Sequence, residues 1–222
     1  MAHVVLLGDS IFDNAKYVPE GIGVAAHLQD CLGAGHRVSL RAQDGSVLAD
    51  MPAQLRGLQA LPDRPTSLVV SCGGNDVLAL VGAMQSPVAS VLEAAELLAT
   101  WQAAFRRDYQ AMLGLVAGCG IPFAVSIIYD QVPGLSPGLR GALALFNDVI
   151  LREAVTRAIP VLDLRLVCTE PGDYAASSPI EPSFEGGRKI AAAIAELVLG
   201  HEPGAARTVV FSGPASRHGH PS

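Results

Sequence analysis

The chain has 222 residues, of which half are hydrophobic, with a formal net charge of −6 and a pI near 5.4. This length fits one α/β domain, and the acidic balance without a basic, aromatic-rich stripe argues against a nucleic-acid partner. No uninterrupted apolar run reaches the roughly 20 residues that a membrane span needs, and no secretory signal opens the chain. We therefore expect a cytoplasmic protein without a membrane partner.

Strand-like and helix-like segments alternate along the chain. Short apolar runs typical of buried strands occupy residues 4–7, 37–42, 68–72, 123–128 and 161–164. Segments with helical periodicity occupy residues 24–32, 47–61, 88–117, 139–158 and 183–199. This alternation predicts an α/β fold, a three-layer α/β/α sandwich around a five-stranded parallel sheet with right-handed crossovers.

The composition changes near residue 201, where proline and glycine begin to punctuate a segment with few apolar residues. We therefore predict one domain over residues 1–200 and a flexible C-terminal tail over residues 201–222. A short edge strand at residues 208–211 is the less favoured alternative.

Polar loops follow four of the predicted strands. They are Gly8-Asp9-Ser10, residues 42–46, residues 72–76 and residues 178–182. Because the carboxyl ends of parallel strands open onto one rim of the sheet, side chains far apart in sequence converge there. Acyl transfer needs a nucleophile, a proton acceptor and donors aimed at an oxyanion. Ser10 supplies a hydroxyl for the first of these roles.

The oxyanion donors also have candidates in these loops. The N–H groups of Ser10 and Gly45 are suitable, since glycine lets the backbone approach a substrate closely. Asn75 adds a side-chain amide. Gly45 alone is a weak signal, because a turn would equally require glycine. Asn75 and Asp76 would alternatively cap the helix that follows them.

Gly8-Asp9-Ser10 and Gly73-Gly74-Asn75-Asp76 together resemble two sequence blocks of the SGNH, or GDSL, family of serine esterases and lipases. The resemblance extends over about residues 3–200. It implies a flavodoxin-like strand order and hydrolysis or transfer of an ester-linked acyl group. It also implies Ser10 as nucleophile, with Ser10, Gly45 and Asn75 forming the oxyanion hole. Neither a cofactor nor a metal is expected, and the partner is a small ester-type substrate.

The segment Ser178-Pro179-Ile180-Glu181-Pro182 departs from that family's last motif, Asp-x-x-His-Pro. Ser178 stands in the position of the Asp and Glu181 in that of the His. A carboxylate at its ordinary pKa, about 4.3, is a weaker base than histidine at about 6.5. Burial raises carboxyl pKa values, and the neighbours of Glu181 are apolar, so a desolvated Glu181 is a competent base. The alternatives are a helix cap or a vestigial site.

The sequence leaves open which other side chains line the pocket and whether the protein has a function other than ester hydrolysis. Asp13, Asn14, Asp44 and Ser178 are candidates for the pocket lining, whereas Asp9 is expected to bond local backbone N–H groups. One alternative function is a lyase, isomerase or cyclase in which Glu181 acts directly on substrate. A catalytically silent binding module is another. The four cysteines are widely spaced without a C-x-x-C pair, so we expect reduced thiols rather than a zinc site.

Overall fold

The computed structural model describes residues 1–19, 21–200 and 208–213. Its strands are β1 (His3–Gly8), β2 (Arg37–Leu40), β3 (Ser67–Ser71), β4 (Phe123–Ile127), β5 (Val161–Asp163), β6 (Tyr174–Ala175), β7 (Ser178–Pro182) and β8 (Val210–Phe211). Six of them form one parallel sheet in the order β2-β1-β3-β4-β5-β8. The remaining two, β6 and β7, pair in antiparallel fashion.

The helices are α1 (Val24–Leu32), α2 (Met51–Arg56), α3 (Gly74–Leu78), α4 (Val91–Ala117), α5 (Pro137–Thr156), α6 (Leu164–Val167) and α7 (Phe184–Gly200). None of the described helices is long and apolar enough to cross a membrane.

Two hydrophobic layers flank the sheet, and β1 contributes alternate residues to each. Val4 and Leu6 join the core that α1 and α7 cover. Val5 and Leu7 join the opposite core, which is covered by α2, α4 and α5. All four side chains are fully buried. Burial on both faces explains why the strand is continuously apolar rather than alternating.

The predicted three-layer α/β/α fold with flavodoxin-like strand order is confirmed, with β1 inside the sheet and β2 at its edge. The predicted strand number was too low. The sixth strand is β8, which pairs with β5 at the other edge. β8 lies within residues 208–211, where the sequence predicted a flexible tail and a short edge strand was the less favoured alternative. The rest of the predicted tail, residues 201–207 and 214–222, lies outside the described residues.

Gly8 closes β1 and sets the path of the chain into the following loop. It has φ of +123°, and a Cβ there would lie 1.7 Å from the Ser71 carbonyl oxygen of β3. The Asp9 N–H donates to that same carbonyl at 3.0 Å. Only glycine allows this approach, which brings the carboxyl ends of β1 and β3 together.

Candidate active site

A pocket of about 210 Å³ opens beside the carboxyl ends of β1 and β3. Its polar lining residues include Asp9, Ser10, Asn75 and Glu181, and most of the remaining lining is apolar. The structure thus brings the predicted nucleophile, the side-chain oxyanion donor and the predicted base to one cavity. An apolar pocket with a few convergent polar groups is the usual form of a small-molecule site.

Ser10 lies two residues after the end of β1 and is 7% exposed. Its N–H donates to no acceptor among the described residues, whereas the neighbouring Asp9 and Ile11 N–H groups are both engaged. The backbone just before it is fixed by Gln54 of α2. The Gln54 amide donates to the Gly8 carbonyl and accepts from the Gly8 N–H, each at 2.7 Å. The loop that presents Ser10 is therefore anchored while its own N–H stays available.

Sequence reasoning missed Gln54, since one glutamine in a helical segment carries no motif. Its amide also donates to the Ser46 hydroxyl at 3.2 Å. Through this bond Gln54 links the loop after β1 to the loop after β2. The side chain is 5% exposed, so burial allows these bonds little competition from water.

Asn75, at the start of α3, donates one amide hydrogen to the Ser46 carbonyl at 2.9 Å. An amide carries two such hydrogens, so the second remains for a ligand in the pocket. Gly45 has φ of +79° and is exposed, and it does not line the pocket. Its N–H, like that of Ser10, donates to no acceptor in the described part of the chain.

Glu181 lies in β7, with its side chain only 3% exposed. Its neighbours in the strand are both held by side chains from elsewhere. The Tyr129 hydroxyl donates to the Ile180 carbonyl at 2.5 Å, and the Asn14 amide donates to the Pro182 carbonyl at 3.0 Å. These bonds fix the backbone on both sides of the carboxylate.

The Glu181 carboxyl has a raised pKa. Burial is the largest cause, and the negative charge of Asp44 adds to it, while the Ser10 hydroxyl and Lys16 act in the lowering direction. The effect of the Ser10 hydroxyl is that of a hydrogen-bond donor to the carboxylate. The Oε2 atom of Glu181 is buried and has no hydrogen-bond partner among the residues that the structure describes. A carboxylate in this state gains more from accepting a proton than one in water.

The helix-cap alternative for Glu181 does not match the geometry. The Ser183 hydroxyl accepts from the Gly186 N–H at 3.1 Å, so Ser183 caps α7. Asp76 does not cap α3 either, because its carboxylate accepts from the Leu48 N–H at 3.1 Å.

Asp9 accepts from the Ile11 N–H at 3.1 Å, the local backbone bond that the sequence predicted. It also lines the pocket, which the sequence did not predict. Burial raises the pKa of Asp9 to about 7, and the Glu181 and Asp76 carboxylates add to this effect. Two buried carboxyl groups therefore border one cavity, each disfavouring the charge of the other.

The remaining candidates lie outside the pocket lining. The Asp13 carboxylate accepts from the Asp44 N–H at 2.9 Å. Asp44 in turn forms an ion pair with Lys16 and accepts from the Tyr17 hydroxyl. Asp44 and Lys16 influence the charge of Glu181 without lining its pocket.

Asn14 and Ser178 are structural in their visible contacts. The fully buried Asn14 accepts from the Val24 N–H at 2.9 Å, in addition to its bond to Pro182. It therefore joins the start of α1 to the end of β7. Ser178 is half-buried at the start of β7, opposite Ala175 of β6.

Within the described residues, no group of three or more His, Cys, Asp or Glu side chains is placed to hold a metal ion. The four cysteines are free thiols.

No protein-family model matches the sequence, and no curated protein matches it. The chain has the fold of solved G-D-S-L lipolytic proteins and acetyl xylan esterases. One such neighbour is a lipolytic G-D-S-L protein of Veillonella parvula, with a TM-score of 0.64 and 16% identity over 90% of this chain and 98% of the other. An acetyl xylan esterase of Geobacillus stearothermophilus has a TM-score of 0.62 and 16% identity, covering 87% of this chain and 92% of the other. An alpha/beta hydrolase from the metagenome of Lake Arreo, Spain, has a TM-score of 0.63 and 19% identity, covering 89% of this chain and 94% of the other.

Proposed function

We propose that this protein is a serine hydrolase of ester bonds, with Ser10 as nucleophile and Glu181 as general base in place of a histidine. The observation that carries the proposal is the position of Glu181, which is buried, unpartnered at Oε2 and in the same pocket as Ser10. The fold shared with esterases and lipases supports the same reaction class.

In the first half of the proposed reaction, the Ser10 Oγ attacks the ester carbonyl carbon while Glu181 takes the hydroxyl proton. The carbonyl oxygen becomes an oxyanion. Its donors are the Ser10 N–H group and the free amide hydrogen of Asn75. Collapse of this intermediate breaks the bond to the alcohol oxygen, which leaves with the proton from Glu181. An acyl group then remains on Ser10.

In the second half, water attacks the acyl carbon and gives a proton to Glu181. The bond to Ser10 breaks, the serine recovers its proton from Glu181, and the carboxylic acid departs. Glu181 therefore ends each cycle in the state in which it began. A second alcohol in place of water would give acyl transfer by the same steps.

The raised pKa of Glu181 supports its role as the base, because a stronger affinity for the proton lowers the cost of deprotonating a serine. The Ser10 N–H group supports an oxyanion hole because Ser10 lines the pocket and this N–H lacks an acceptor among the described residues. The Gly45 N–H, the third donor that the family resemblance implies, also lacks such an acceptor but lies outside the pocket lining.

A fluorophosphonate probe tests the proposal, since it labels an activated serine by displacement of fluoride. We expect a phosphonyl adduct on the Ser10 peptide, found by mass spectrometry. Ser10→Ala should remove both the labelling and the ester hydrolysis. The control Ser86→Ala removes an exposed hydroxyl that does not line the pocket and should leave both intact.

Ester hydrolysis that persists in Ser10→Ala would overturn the nucleophile assignment. It would favour a reaction in which Glu181 acts directly on substrate.

A further inference from the structure

One wall of the pocket continues from the oxyanion donor as an apolar surface. Asn75 lies in α3, and Val77 and Leu78 of the same helix line the cavity with Val81 and Met84 just beyond it. A chain attached to a carbonyl group at Asn75 would therefore pass directly over hydrocarbon. Burial of such a chain is favourable in proportion to the apolar area removed from water.

The facing wall is also apolar and comes from the segment after β4. Ile128, Val132, Leu135, Leu139 and Leu143 line it. Ile128 and Leu143 are buried, whereas Leu78 is 44% exposed. The apolar lining, which we call the slot, thus extends from buried side chains to one that is partly open to solvent.

Polar groups cluster beyond Glu181, outside this slot. Lys16, Tyr17 and Asp44 form a connected ion pair and hydrogen-bond group that influences the Glu181 charge, and none of them lines the pocket. In an ester hydrolase the base hands its proton to the leaving alcohol, so the alcohol lies on the side of the base. The polar cluster and the apolar slot therefore correspond to different ends of an ester.

Resting on the proposed function, we propose that the slot binds the acyl chain of an ester of a medium-chain fatty acid, with the alcohol toward Lys16, Tyr17 and Asp44. The pocket volume of about 210 Å³ and its apolar lining leave room for a chain of several methylene groups beyond an acetyl group.

A pair of isomeric esters tests which side of the ester the slot receives. Ethyl octanoate and octyl acetate have the same atoms but carry the long chain on opposite sides of the ester bond. We expect kcat/KM for ethyl octanoate to exceed that for octyl acetate and for ethyl acetate by about 100-fold or more, since six additional methylenes are buried only in the first. Preference for octyl acetate, or equal rates for all three, would overturn the inference.

Two variants that fill the slot test its location. Val81→Trp and Val132→Trp enlarge half-buried residues on opposite walls. Each should lower the octanoate-to-acetate ratio of kcat/KM by about tenfold or more, because the space for the chain is lost. Val155→Trp, at an exposed position on α5 outside the slot, is the matched control and should keep the ratio. An unchanged ratio in both folded slot variants would contradict the assignment.

Binding of a neutral analogue separates this inference from the proposed hydrolysis. Octanamide should bind and raise the Tm, whereas acetamide should not, and Val132→Trp should abolish the shift. If no ester is hydrolysed but octanamide still binds in this pattern, the proposed function fails and the slot stands. If esters are hydrolysed but octanamide binds no better than acetamide, the slot fails and the hydrolase stands. Absence of both overturns the two together.

Discussion

Burial of the Glu181 carboxylate has two linked effects, an unfavourable free energy for its charged form and a stronger affinity for a proton. Burial without a partner for Oε2 disfavours the charged form, which raises its pKa and makes it a better proton acceptor. An ordinary histidine is a stronger base than an ordinary carboxylate without any desolvation. A glutamate base is therefore consistent with the proposed function because β7 holds this carboxylate inside the pocket.

Asn75 offers a direct test of the oxyanion hole. Asn75→Ala removes the free amide hydrogen, and we expect kcat to fall by about 10²–10³ with a much smaller change in KM, since the donor acts mainly on the transition state. Steady-state kinetics with a good ester substrate measure this. A loss confined to KM would instead make Asn75 a substrate-binding residue.

The sequence predicted that Ser10, Asn75 and Glu181 converge, because short motifs and strand ends carry that information, and all three line one pocket. It did not identify Asp9 as a pocket residue or Gln54 as an anchor. The properties of these two residues depend on burial and on partners that are distant in sequence, such as Gly8 for Gln54. Gly45, Asp13, Asp44 and Ser178 were placed near the site by sequence, yet none of them lines the pocket.

At the scale of elements, β7 is the feature that sequence did not predict. The segment with Pro179 and Pro182 reads as a loop, because proline disfavours strands, but pairing with β6 makes it an edge strand. Serines before helical segments have different partners. The Ser183 hydroxyl caps α7, whereas the Ser46 hydroxyl, just before the predicted helical segment 47–61, accepts from Gln54. Local sequence cannot distinguish a serine that caps from one that a buried glutamine binds.

The bond from Tyr129 to the Ile180 carbonyl makes a prediction about β7. Tyr129→Phe removes one hydrogen bond beside Glu181, worth about 1 kcal/mol, and we expect kcat to fall by about threefold to tenfold. The pH profile should shift as well, since Glu181 loses its fixed position. Kinetics at several pH values measure both effects.

Tyr174→Phe is the matched control for that variant. Tyr174 packs edge-on against Tyr129, and its hydroxyl donates to the Cys168 carbonyl at 3.0 Å. Tyr174→Phe thus also loses one hydrogen bond from a tyrosine hydroxyl to a backbone carbonyl, but it keeps the bond from Tyr129 to the Ile180 carbonyl of β7. An equal change of the pH profile in both variants would assign the effect to general packing rather than to Glu181.

For the whole molecule, the alternation of strands and helices was enough to predict the layers, whereas the strand order was implied by the resemblance to the SGNH family. The sixth strand was not counted in the predicted sheet because β8 has only two residues, too few to show the alternation of a strand.

The buried carboxyl groups predict that the stability of the whole protein depends on pH. Asp9 is expected to make the largest contribution to the pH dependence of stability, because its pKa is raised to about 7. The pKa of Asp9 in the fold, about 7, lies above its ordinary value of 3.8, so the fold binds the proton more tightly than the unfolded chain does. The stability that this gives is fully present below pH about 4 and is lost as pH rises through about 7. Asp9→Asn should therefore be more stable than the parent at pH 8, by about 2 kcal/mol, and similar to it at pH 4.

Urea denaturation at the two pH values measures the difference. Asp30→Asn, at an exposed position on α1, is the control and should show no such pH-dependent gain. A parent protein whose stability advantage over Asp9→Asn grows with pH would contradict the assigned direction.

Activation of Ser10 by Glu181 can be measured as the rate at which a fluorophosphonate modifies Ser10 at different pH values. In the parent we expect this rate to rise with pH through a pKa above the ordinary value of a glutamate. Glu181→Gln keeps the shape of the side chain but cannot take the proton, so the rate should fall by about 10²–10⁴ and lose that rise. A Glu181→Gln protein that reacts as fast as the parent with the same pH dependence would contradict the claim, and loss of the rise in Asp9→Asn alone would assign the base to Asp9.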